Sequence, residues 1–153
     1  MNKRWNRVFG VKTKNYPQDD LIFWRSLEHP IAEDTPVLLF YDKGHKDDII
    51  YADSVISVDS LGLSSHDYLN VTCRINGKTY INTWNKWAYA YDWKSLYQLN
   101  TSQDVLFLCL VYNSDYSIHS LQQFNGSYNH SQSGYDISGG EDNGFVTICW
   151  KER

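Results

Sequence analysis

Asn76-Gly77, set between two alternating runs, constrains the fold of this chain more than any other pair of residues in it. Before it, Leu69, Val71, Cys73 and Ile75 alternate with Asn70, Thr72 and Arg74, the period of a strand with one buried face. Asn-Gly accepts the two positive φ angles of a type I′ turn, whose twist matches that of its flanking strands, so residues 78–84 are expected to return as the hairpin partner. A two-residue loop sets the register. Cys73 then stands opposite Tyr80 and Leu69 opposite Trp84, with both aromatics expected on the buried face. The run Trp87-Ala88-Tyr89-Ala90-Tyr91-Asp92-Trp93 follows; continued as a strand, it places four aromatics on one side.

Other segments read around this hairpin. Residues 37–41 and 105–112 are continuous apolar runs of strand length, which predicts strands covered on both faces. Residues 49–58 read as a strand returning from 37–41, with Ile50, Val55 and Val58 inward and a bulge near Ala52-Asp53. Asp92 is placed to cap a short helix over 93–99, in which Trp93, Leu96 and Tyr97 share a side. Residues 114–124 fit a helix or an alternating strand, 144–150 a closing strand, 5–11 a short strand and 61–67 a loop. Residues 125–143 are poor in apolar side chains and read as one long polar loop. The sum is a mainly β single domain, a sandwich or a curved, barrel-like sheet with one or two short helices, an α+β arrangement being the alternative.

The 153 residues suffice for one core, and six Trp, twelve Tyr and six Phe supply much of its area. Cys73, Cys109 and Cys149 each lie in an apolar run, which predicts buried free thiols. An immunoglobulin-type disulfide between Cys73 and Cys149 is rejected, since the second cysteine falls one residue late after Asp142-Asn143-Gly144. Charge is divided. Residues 1–18 form a basic arm with Lys3, Arg4, Arg7, Lys12 and Lys14 and no acid. The body, 19–153, carries nine basic against eighteen acidic side chains, a formal charge of −9. That balance argues against general nucleic-acid binding by the body, which needs clustered positive charge. No apolar run approaches the ~20 residues that span a bilayer, and no apolar stretch near the start suits a signal peptide, so a soluble, cytosolic protein is expected without a membrane role.

One stretch carries a family likeness. Trp24-Arg25, Pro30, Asp34 and Thr35-Pro36-Val37-Leu38-Leu39 match the opening of small phage and prophage proteins grouped as domain of unknown function 551, which residues 24–40 therefore resemble. Ser26 stands for that family's first proline, one residue is added after Pro30, and no glycine separates Asp34 from Thr35. Without that glycine, the residue at the turn is expected to avoid positive φ. The resemblance implies a phage-type origin and no particular reaction.

Chemistry-bearing motifs are sparse. The histidines His29, His45, His66, His119 and His130 show no ligand spacing, and the glycine-rich segment near Gly139-Gly140 is acidic, the wrong sign for phosphate. No metal, cofactor or catalytic set is expected. Two features suit binding: the Tyr/Ser/Asn loop with Tyr128, His130 and Tyr135, whose composition resembles that of antibody contact loops, and the aromatics Trp84, Trp87, Tyr89 and Tyr91. They lead to a non-catalytic phage or prophage protein that occupies a host factor in the cytosol, either a defence protein or a small nucleotide signal. A small hydrolase or phosphoesterase using His119 or His130 with a carboxylate, and a carbohydrate-binding virion module, are the alternatives.

Overall fold

The computed structural model describes residues 22–27, 29–59, 69–138 and 144–153. The basic arm 1–18, the strand expected over 5–11, the loop at 61–67 and residues 139–143 lie outside this set. In chain order the strands are β1 (Arg25–Ser26), β2 (Val37–Phe40), β3 (Ile49–Ala52), β4 (Ser54–Asp59), β5 (Leu69–Ile75), β6 (Lys78–Trp84), β7 (Lys86–Tyr89), β8 (Lys94–Ser95), β9 (Val105–Tyr112), β10 (Ile118–Asn129), β11 (Gly134–Ser138) and β12 (Gly144–Glu152). They make three antiparallel sheets: β1-β7-β2-β3, β11-β10-β9-β12-β8 and β4-β5-β6. The protein is mainly β, and none of the sheets closes into a barrel.

Why three layers form is visible in β2. All four of its residues are buried, and successive side chains enter different cores. Leu38 and Phe40 pack with Ala88, Leu108, Leu110, Leu121 and Cys149, so one face of the four-stranded sheet lies on the five-stranded sheet. Val37 and Leu39 pack with Leu69, Val71, Cys73, Trp84 and Trp87, so its other face lies on the hairpin sheet. The four-stranded sheet is thus the middle layer. A third core, Val105, Phe107, Cys109 and Val111 with Phe124 and Trp150, occupies the far face of the five-stranded sheet, where Tyr135 and Ile137 of β11 help to cover it. That gives β9 two covered faces, as its lack of polar residues predicts. Each fully buried large apolar side chain contributes roughly 1.5–3 kcal/mol.

The hairpin forms in the expected register, with Leu69 opposite Trp84 and Cys73 opposite Tyr80. Asn76 and Gly77 take φ of 51° and 78°. Tyr80, however, is 46% exposed, because the middle sheet covers the Leu69 end of the hairpin face and stops short of the turn end. Near Ala52-Asp53 the chain changes sheets, from β3 to β4, where the Asp53 amide donates to the Arg74 carbonyl at 2.8 Å. The bulge falls later, between Val55 and Ser57. Asp34 itself takes the left-handed conformation, φ 52°, contrary to the expected avoidance. Aspartate tolerates that region because its short polar side chain bonds locally.

Two further expectations are corrected, and one that was left open is decided. The helix over 93–99 is replaced by β8 and a one-turn 3₁₀ helix, Leu96–Gln98, capped by Ser95 rather than Asp92. Pairing of Lys94 and Ser95 with β12, and a 2.9 Å bond from the Trp150 indole to the Ser95 carbonyl, hold the residues that a helix would need. Residues 118–124 belong to β10, so the alternating reading prevails. The polar loop at 125–143 is largely a hairpin: Asn125 to Asn129 pair with Ser138 to Gly134. Its small residues have a packing reason. A Cβ on Gly126 would stand 2.3 Å from the Phe107 ring.

Candidate functional site

Of the aromatics expected to make contacts, Trp84 and Trp87 are core residues, 3% and 0% exposed, and cannot stack on a partner. The face they begin is closed by the protein's own cation. The Arg25 guanidinium lies 5.2 Å from the ring centres of both Trp87 and Tyr89 and 5.5 Å from Phe23, an arrangement favourable to each ring's quadrupole. Tyr89 is half-buried. Tyr91 alone projects, 64% exposed, at a left-handed φ of 48° that turns the chain out of β7.

Tyr128 and Tyr135 face each other across β10 and β11 with ring centres 5.2 Å apart, and His130 stands edge-on to Tyr128 at 4.8 Å. The structure thus brings these three together. Tyr135 is also an anchor: its hydroxyl proton is shared between the carbonyls of Thr101 and Gln103, at 2.7 and 2.8 Å, and its ring meets Phe107 edge-on. Beside the hairpin runs a polar groove of about 630 Å³ between residues 100–105 and the C-terminal end of β12. Its charges are already matched, Lys94 with Glu152 at 2.6 Å and Arg153 with Asp104 at 3.3 Å. Asp104 also accepts from the Tyr128 amide at 3.2 Å.

A second groove, about 580 Å³, opens where the three sheets meet, and none of its main lining residues was singled out for binding from the sequence. Ile49, Ile50 and Tyr51 of β3 form one wall and Leu96 and Tyr97 of the 3₁₀ helix another. Thr147 and Ile148 of β12 lie between them, and Ile75 and Tyr80 come from the turn end of the hairpin. Tyr97 is 68% exposed and Leu96 is exposed as well. None of the described residues that line this groove is charged. Burial first, then the nearby Cys149 and Asp53, push the Tyr51 hydroxyl up to about 12, so it remains a neutral donor throughout the physiological range. An apolar concavity with a few fixed polar groups is the general form of a binding site. Here it suits a flat apolar or aromatic group carrying a hydrogen-bonding edge. With no Lys or Arg among its described lining residues, it is a poor match for phosphate.

Two sequence signals pointed towards this groove without revealing it. The hairpin register put Tyr80 on the inner face, and Leu96-Tyr97 is an apolar pair within a polar neighbourhood. What covers an inner face depends on the neighbouring layer, which strand periodicity does not report.

Elsewhere, His45 lies 3.6 Å from Asp48, and His119 contacts the Ser120 hydroxyl at 3.0 Å. Among the described residues no cluster of three His, Cys, Asp or Glu is placed to hold a metal ion, no helix is long and apolar enough to cross a membrane, and all three cysteines are buried and free. Cys73 and Cys149 lie in different outer sheets. No protein-family model, no curated protein and no solved structure matches the chain.

Proposed function

We propose that this is a non-catalytic binding protein of phage or prophage type that acts in the host cytosol by occupying a host factor, and that the uncharged groove between Tyr51, Tyr80 and Tyr97 is its contact site. The groove carries the reading: it is an apolar, tyrosine-rimmed concavity, and its described lining residues include no Asp, Glu, His, Cys, Lys or Arg. The resemblance of residues 24–40 supports the origin. Of the two kinds of target, a protein is favoured over a nucleotide signal, because none of the described residues lining the groove is a Lys or Arg that could meet a phosphate. A partner's aromatic or branched apolar side chain, inserted between Tyr80 and Tyr97, fits its chemistry. Tyrosine is a frequent anchor at such interfaces, where truncation of one costs roughly 1–3 kcal/mol.

Native mass spectrometry of the chain purified from a bacterial host, with the same sample then denatured, tests this reading. A stoichiometric partner that is retained natively, released on denaturation and lost from the Tyr80→Ala/Tyr97→Ala variant is expected. A partner retained equally by that variant would place the contact elsewhere.

A further inference from the structure

Among the described residues, strand β6 is the edge of the hairpin sheet, and residues Lys78 to Asn82 along it are all exposed. An edge of this length is normally blunted by proline, a bulge or inward charges. Here it is regular, and its one ionic residue, Lys78, sits at the end. Its sequence is nearly symmetric about one residue: Thr79-Tyr80-Ile81-Asn82-Thr83 has Ile81 at the centre and threonine at both ends.

Backbone direction agrees with that symmetry. Ile75 and Lys78 close a two-residue turn, so they exchange their hydrogen bonds with each other, and alternate residues beyond them turn their amides and carbonyls away from β5. Those residues are Thr79, Ile81 and Thr83. The Thr83 amide shows this orientation directly, since it donates to the neighbouring Asn82 side chain at 2.8 Å instead of to β5. Opposite Arg74, Thr72 and Asn70, the side chains of the same three residues stand on the outer face of the sheet, where Ile81 is 70% exposed.

We propose that β6 pairs with β6 of a second copy of this chain, antiparallel and two-fold about Ile81, joining two hairpin sheets into one of six strands. Ile81 then faces Ile81 of the other copy, and each Thr79 faces a Thr83. All three pairs are β-branched, the kind that stabilises a sheet face, and together they exchange about six backbone hydrogen bonds once each Thr83 amide gives up its bond to the Asn82 side chain. The two-fold selects a second copy as occupant, because the same short row is complementary to itself. Charge agrees: the chain is acidic overall, at −4, yet residues 79–84 carry no acid to repel their equivalents. On the inner face, Tyr80 comes beside Asn82 of the second copy, so each uncharged groove gains part of its rim from the other chain.

Sedimentation velocity of the full chain at tens of micromolar tests the pairing. A species of two 17.9 kDa chains is expected. It falls to a single chain in Ile81→Lys, which opposes two ammonium groups on the axis, while the far-UV spectrum remains that of the wild type. Ile81→Cys supplies a positive signal. Hydrogen-bonded antiparallel partners hold their Cα atoms ~5.5 Å apart, within disulfide range, so mild oxidation gives a covalent dimer on a non-reducing gel. Tyr97→Ala, which alters the groove alone, leaves the dimer intact and separates this inference from the groove's role. A monomeric wild type, a dimer that persists in Ile81→Lys, or no cross-link in Ile81→Cys would overturn the proposal.

Discussion

Burial raises the thiols of Cys73 and Cys109 from 9.0 to about 11, and holds that of Cys149 well above its ordinary value. At Cys149 the neighbouring Cys109 adds to the effect and Lys151 opposes it. The thiolate is the reactive form, so the native protein is expected to resist iodoacetamide at pH 8 while the denatured chain labels at all three positions. Rapid labelling of the folded protein would contradict the packing of these strands. A stability consequence follows with a definite sign. These groups ionise more readily in the unfolded chain, so their contribution is complete below pH 9 and declines from there through about pH 11. Tyr51 behaves alike between 10 and about 12. Urea midpoints measured from pH 7 to 11 should be level at first and then fall. The thiols' burial was legible from their apolar runs. The rise at Tyr51 was not, because its burial, and after that the approach of Cys149 from β12, depend on how separate strands pack.

At the scale of elements, the β10–β11 hairpin is held down by Tyr135. Tyr135→Phe keeps the ring on Phe107 and removes the bond to the carbonyls of Thr101 and Gln103, an expected loss of about 0.5–1.5 kcal/mol. Tyr135→Ala also vacates the edge of the third core, for an expected ~3 kcal/mol or more, of the order seen for large aromatic truncations. Urea denaturation distinguishes the two. Equal and negligible effects would show that the hairpin is free of the 100–104 segment. What made this element read as a loop is the property that lets it pack: Gly126 must be small to pass beneath Phe107, and its Asn and Ser residues face solvent or bond within the turn, as Asn129 does with Ser131. By contrast, Asn76-Gly77 announced its hairpin because the turn's backbone angles are a local demand that few residues meet.

Over the whole molecule, the mainly β class and the doubly covered strands β2 and β9 could be read from apolar runs alone, whereas the number of layers could not. Nothing in Val37 to Phe40 says whether the two covering layers are sheets or helices. The layering predicts one cooperative unfolding transition, since Leu38 and Val37 tie the middle sheet to both outer ones. Leu38→Ala, at a site with 0% exposure, should cost about 2–5 kcal/mol. It should shift the tryptophan fluorescence transition and the far-UV transition together. Transitions that separate in the variant would mean that an outer sheet stands on its own.

A layer without an outside also restricts how such a protein can change over generations. Every side chain of β2 faces one interface or the other, so no position in it is free of packing and few substitutions are tolerated. Tyr80 and Tyr97 sit on the hairpin and on a short helical turn, outside that layer, and can be exchanged with little effect on its packing. The arrangement separates the part that must stay constant from the part free to vary.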